Sequence, residues 1–293
     1  MSSASSASAA SFDGLALATA GNLSKMGTRP KFLAYIGEAF RRRGFAWTLA
    51  RYTLEAQTSR SSLGVAYHVL VPALQIGVYG IIFGLILGNS RPEHFVPYLI
   101  VGIVLFQYIS GSITDGAKAI TSNASLVRSL DFPRVLLPVS AMISNLLKVL
   151  PLVALMLLAV WGFGEPVGWD WFLIIPVFAL MTVFASGLAM IAARLTVHLE
   201  DLNQLLPFFI RVLFYSSGIF YNVDKLSMGN PVFGAILHNN PVHIFLVLAR
   251  ASLVDTYTAT ATDWVVAAVW AVVMFAAGTW FFWMAEEKYG RNV

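Results

Sequence analysis

Hydrophobic positions in this chain come as unbroken stretches instead of helical stripes, and six of them approach the ~20 residues needed to cross a ~30 Å hydrocarbon core. They lie at 65–87, 95–113, 135–160, 171–193, 204–222 and 263–285. The region 224–262 fits neither a loop nor a span. Its apolar pieces 231–237 and 241–249 are separated by His238, Asn239, Asn240 and Pro241. Pieces of about 10–14 residues or fewer read as re-entrant or interfacial helices. A short helical hairpin dipping in from the outer face is therefore expected, with a seventh full crossing as the alternative.

The pattern ahead of the spans is different. Between Lys31 and Arg60, Phe45, Leu49, Tyr52 and Ala56 share one helical face, while Arg51 and Glu55 share another at i,i+4 spacing. With Arg41, Arg42, Arg43 and Trp47 nearby, this reads as a helix lying in the interface beside anionic lipid. A solvated helix docked on a partner is the other reading. Residues 1–30 are rich in Ser and Ala and lack a basic leader segment, which predicts a disordered tail and not a signal peptide. The predicted fold is an all-α membrane protein: six transmembrane helices, an N-terminal amphipathic interface helix, and a short re-entrant helical hairpin before the last span. The organisation is a tail (1–30), an interface-helix region (31–62) and a transmembrane domain (63–293).

Composition agrees, since 58% of the 293 residues are apolar and only 12% charged, against roughly 25% charged in soluble domains. The chain has no cysteine, which removes disulfides, thiolate catalysis and thiolate zinc sites together. A net charge of +4 could suggest nucleic acid, but the Lys and Arg residues are segregated along the chain. Eight precede residue 61, three fall in 114–134, and Arg194, Lys288 and Arg291 bring one side to fourteen of nineteen. Only Arg91, Lys225 and Arg250 fall on the other side, with Lys148 and Arg211 inside spans. The positive-inside rule then places both termini in the cytoplasm, in a plasma (inner) membrane protein.

The sequence holds no G-x-x-x-x-G-K-[ST], no H-E-x-x-H and no G-x-S-x-G. Any use of ATP requires a second polypeptide, and neither a catalytic residue nor a metal site is expected. None of the spans as drawn carries Asp or Glu in its central region, where ion-coupled carriers place them. A passive pore or a transporter powered from outside the chain remains.

Lys148 is the sharpest intramembrane anomaly, about 13 residues into the third span and one turn beyond Asn145. It faces a polar conduit that receives an anionic substrate group, or it is a snorkelling or interhelically bonded lysine. Among the aromatics, Phe106, Tyr108, Tyr215 and Tyr221 are candidates to line a channel that passes sugar rings. An interfacial belt with helix packing is their alternative role. Ala117 to Arg134 forms a basic connection that ends at Phe132-Pro133-Arg134, where proline breaks the helix.

The order of motifs resembles the permease subunits of type 2 ABC exporters for O-antigen, capsule and teichoic-acid polysaccharides. The marks are Arg60-Ser61-Ser62-Leu63-Gly64 leading to Pro72, Asn123 with Leu126 and Val127, and Phe132-Pro133-Arg134 with Leu137-Pro138. They continue with Glu200-Asp201 before Gln204-Leu205-Leu206-Pro207, then Asn240-Pro241 with Arg250. Tyr67 stands where the family commonly has Trp. The resemblance implies a homodimer bound to two cytoplasmic P-loop ATPase subunits, with ATP and Mg2+ on those partners and no cofactor in this chain. It implies a coupling segment over Ala117 to Arg134, with Asn123, Arg128, Asp131 and Arg134 as ATPase contacts. The substrate would be a glycan on polyprenyl pyrophosphate, met by Arg41, Arg42, Arg43 and Arg51 and, in transit, by Lys148. An actinobacterial cell-wall galactan is one such glycan. A drug or small-molecule exporter, or a passive channel or scaffold, is the alternative function.

Overall fold

The computed structural model describes residues 31–59, 65–88, 91–199, 201–223 and 231–289, and every regular element among them is helical. The tail, the Arg60–Gly64 motif, Glu200, Lys225 and Arg291 lie outside the described residues. In chain order the helices are α1 (Phe32–Arg41), α2 (Arg43–Ser59), α3 (Val65–Leu87), α4 (Phe95–Lys118), α5 (Ala124–Ser129) and α6 (Leu136–Gly162). There follow α7 (Ile174–His198), α8 (Leu202–Ser216), α9 (Pro231–His238), α10 (Pro241–Leu253), α11 (Ala261–Trp283) and α12 (Glu286–Tyr289).

Among the described residues five helical segments are long and apolar enough to cross a membrane: Val69–Leu87, Phe95–Lys118, Leu136–Gly162, Trp169–His198 and Ala261–Trp283. The chain is a multi-pass membrane protein. The predicted span at 204–222 is not among these five: its helix α8 has 15 residues, about 22 Å at 1.5 Å per residue. It stops for a local reason: the Ser216 and Ser217 hydroxyls donate back to the Leu213 carbonyl, and Gly218 turns the chain at φ 68°. A side chain at Gly218 would be strained, and its Cβ would lie 2.7 Å from Val223. The 231–249 region forms two short helices as expected. Asn240 caps α10 by accepting from the Val242 N–H at 3.0 Å, with Pro241 at the first helical position. A Thr260–Asp263 capping box starts α11.

Helix α4 is the axis of the bundle, 78% buried along its apolar stretch, whereas α3 is 6% buried and lies on the outside. Helices α6 and α7 flank α4, and α11 closes on α7. That last contact is backbone on backbone: a Cβ on Gly187 would sit 2.2 Å from the Met274 carbonyl oxygen, and one on Gly278 2.3 Å from the Gly187 oxygen. Small residues permit this approach, and the close packing it allows is one of the forces that associate helices in lipid. One apolar cluster fills the bundle around α4, and a second, including Tyr35, Phe132, Val135, Leu137 and Phe282, lies at the end where the basic residues gather. The opposite end is tied by Glu165, whose carboxylate bonds His94 and accepts from the Asp255 N–H at 3.1 Å.

Candidate functional site

A cleft of about 550 Å³ opens between α3, α4, α6 and α8. Its polar rungs run down one face of α4 as Gln107, Ser110, Thr114 with Asp115, and Lys118, three to four residues apart. Gln107 and Lys118 are 11 residues apart, so the polar face runs about 16 Å along the bundle towards its basic end. The other polar and charged walls are Gln75 from α3, Asn145 and Lys148 from α6, and Asn203 and Arg211 from α8. Aromatic rings of Tyr79, Phe106, Phe214 and Tyr215 line the end away from Lys118.

Lys148 Nζ lies 2.9 Å from Asp115 Oδ2, joining α6 to α4 on the cleft wall. The two side chains are 11% and 33% exposed, so the pair is reachable from the cleft. Lys148 is thus bonded across helices and lines the cleft. Hydropathy alone ends this span at residue 113 and hides the partner, whereas α4 continues to Lys118 and carries Asp115. The polar rungs at helical spacing were the available signal. One turn before Lys148, the Asn145 amide donates to the Tyr108 carbonyl and the Ser112 hydroxyl, each at 2.9 Å, which fixes the register of the two helices.

Of the four candidate channel aromatics, Phe106 and Tyr215 line the cleft. Tyr108 points the other way: it is buried, donates to Thr182 on α7 at 3.0 Å and stacks on Phe178. Tyr221 lies beyond α8, its hydroxyl donating to the Tyr215 carbonyl at 2.7 Å.

The arginines of the N-terminal helices are outside the cleft. Arg41, Arg43 and Arg51 are exposed, beside exposed Leu33 (82%), Phe40 (67%) and Trp47. Arg43 lies 4.5 Å above the Phe40 ring, and Arg42 pairs with Glu38 at 2.7 Å while donating to the Asp131 carbonyl at 2.7 Å. The inner side of α2 differs from the sequence reading. Ala46 and Ala50 are buried with Phe45 and Leu49 beside them, whereas Tyr52 and Ala56 are exposed.

At the basic end Asn123, Arg128 and Asp131 stand at or near the surface of the α4–α6 connection, while Arg134 turns inward. Arg134 donates to the Glu286 backbone carbonyl at 2.8 Å, and its backbone N–H donates to the Glu286 carboxylate at 3.0 Å. Tyr35 completes this knot, donating to the same carboxylate at 2.8 Å and accepting from the Val135 N–H at 3.0 Å. Burial raises the Glu286 carboxyl above its ordinary range against the lowering effect of Arg134 and Tyr35, and burial with the nearby Glu286 charge holds the Tyr35 phenol well above 10. Nothing in the spacing of residues 35, 134 and 286 announces this assembly.

Arg250 is buried and makes no ion pair among the described residues. Its guanidinium lies 3.3 Å from the Tyr98 ring centroid and donates to the Gly218 carbonyl at 3.1 Å, pinning α10 against α4 and the turn after α8. Its place is in the scaffold, where α10 meets α4 and the turn after α8.

A bundle of apolar helices around an amphipathic cleft is the plan of a membrane permease, and residues 46–254 match the ABC-2 type transporter family. The chain belongs to that family. Its relatives include the O-antigen export system permease protein RfbA of Myxococcus xanthus, 23% identical over 88% of this chain and 98% of the relative. Two proteins of the same name from Klebsiella pneumoniae are 27% and 26% identical, each over 59% of this chain and 67% of the relative.

Proposed function

We propose that this chain is the permease of an ATP-driven exporter that moves a polysaccharide on a polyprenyl-pyrophosphate carrier from the cytoplasmic to the outer side of the plasma membrane. The observation that carries the reading is the cleft, cationic towards the basic end and aromatic away from it. A cargo with an anionic link and sugar rings matches both halves. The relatives named for O-antigen export support the same class of cargo. A galactan is the member of that class we favour.

In this reading the chain works as a homodimer with two cytoplasmic P-loop ATPases that carry ATP and Mg2+. The basic end faces the cytoplasm with both termini, and α8 with the turn after it completes a sixth crossing. Helices α9 and α10 form the re-entrant hairpin on the outer side. Asn123, Arg128 and Asp131 offer the ATPase contact, with Arg134 holding that segment from behind. Helices α1 and α2 lie in the interface, where Arg41, Arg42, Arg43 and Arg51 meet anionic headgroups and the arriving carrier.

Depleting the protein is expected to accumulate a lipid-linked polymer inside the cell, and the purified chain is expected to bring down a P-loop ATPase whose hydrolysis depends on it. Normal surface polymer after depletion, with no ATPase in the purified complex, rejects the reading.

A further inference from the structure

The cleft gathers three cations, Lys118, Lys148 and Arg211, and one carboxylate, Asp115. Three positive charges against one negative leave two in excess: Lys118 and Arg211 are exposed on the cleft rim while Lys148 is paired with Asp115, so an entering anion meets a net positive wall. Among the described residues neither Lys118 nor Arg211 has an ion-pair partner. Asp115, in contrast, occupies Lys148 at 2.9 Å while remaining a third exposed.

We infer that the cleft is a binding site for a phosphate dianion of the pyrophosphate-diester type, in which Asp115 is a resident anion that the ligand displaces from Lys148. The charge count sets the ligand class, since a sugar-capped pyrophosphate diester carries about two negative charges and restores neutrality. The geometry sets its orientation: phosphates beside Lys118 and Lys148, with the glycan extending along the polar face of α4 so that later sugars reach Phe106, Phe214 and Tyr215. Asp115 also makes capture reversible. When the anion leaves, Lys148 is neutralised again within the protein, so release does not strand a charge in the membrane. A permanent cationic trap would hold its cargo, whereas a competitor one bond away keeps the site weak enough to empty. The inference rests on the export reading for the identity of the anion and on the cleft alone for its charge.

The test is equilibrium binding to the permease–ATPase complex in phosphatidylcholine nanodiscs. The probe is a radiolabelled sugar-capped polyprenyl pyrophosphate, with inorganic pyrophosphate and phosphatidylglycerol as competitors. Lys148→Met is expected to weaken binding about tenfold and Asp115→Asn to tighten it about tenfold, each equivalent to about 1.4 kcal/mol. Arg211→Gln, on the opposite wall, is expected to weaken it severalfold. A Lys148→Gln/Asp115→Asn double variant, which keeps a neutral hydrogen bond in place of the ion pair, guards against misfolding and is expected to fall between the single variants. The site is overturned if the two single variants shift affinity in the same direction, or if neither shifts it while wild type binds. Competition by phosphatidylglycerol equal to that by the capped pyrophosphate also overturns it, in favour of a headgroup surface, and strong competition by free pyrophosphate supports the anion site. A wild-type complex that binds no capped pyrophosphate sinks the export reading together with the site.

Discussion

Gly187→Leu is expected to abolish the accumulation of folded permease. The Cβ alone would stand 2.2 Å from the Met274 carbonyl oxygen and 2.7 Å from the Phe275 nitrogen, so the obstacle is backbone and cannot rotate aside. Leucine adds three more carbons, and α7 and α11 would have to separate along their length. Overpacking a core typically costs 1–3 kcal/mol when neighbouring side chains can yield. Here they cannot, and a loss above about 3 kcal/mol follows, or some 6–12 °C in melting temperature by the scaling of soluble domains of similar size. Gly278→Leu attacks the same contact from the other helix and should behave alike. Gly37, which has nothing within 4 Å of a built Cβ, is the control, and Gly37→Ala should leave the yield unchanged. The measurement is monodisperse yield and thermal stability in detergent. A well-folded Gly187→Leu at wild-type yield would show that the close crossing of α7 and α11 is not what holds the bundle.

This contact illustrates what the sequence conceals. The spans at 65–87, 135–160, 171–193 and 263–285 are legible because a lipid-immersed helix needs only length and apolarity, and the structure moves their ends by a few residues. Hydropathy places the end of α4 too early because Thr114, Asp115 and Lys118 look like the start of a loop to it. In the bundle they are the polar face of a helix whose other sides are buried. Hydropathy overstates the length of α8 for the opposite reason. Phe220 and its apolar neighbours prolong the hydropathy signal past the Ser216-Ser217-Gly218 stop, where the chain has already turned. Lys148 could be singled out from one dimension, since a lysine in an apolar run is costly wherever it points. Its carboxylate partner 33 positions away, and the 251-residue reach from Tyr35 to Glu286, are products of the three-dimensional assembly.

That reach yields the second large effect. Tyr35→Phe is expected to loosen α1 from the bundle while leaving the spans intact. The hydroxyl does two jobs in a buried place, donating to Glu286 at 2.8 Å and accepting from the Val135 N–H at 3.0 Å. Its removal leaves a backbone donor and a carboxylate oxygen each short of a partner, at about 1–3 kcal/mol per buried group. A total of roughly 2–4 kcal/mol corresponds to hydrogen exchange in α1 about 30- to 1000-fold faster. Phe32, seated against Trp280 and Trp283, keeps the helix nearby, so the change is local. The sign with pH follows from burial. The Glu286 carboxyl titrates above its ordinary range in the folded knot, so its contribution to docking is full below that range and is lost as pH rises through the raised value. Tyr35 acts in the same direction at alkaline pH, since its phenol is also raised. Protection of α1, corrected for intrinsic exchange chemistry, should therefore fall from acid towards neutral pH in the wild type. Glu286→Gln should flatten that fall, because an amide has no proton to lose. Wild-type protection that rises with pH over this interval, or equal exchange in Tyr35→Phe and wild type, would remove the knot as the lock of the N-terminal helix.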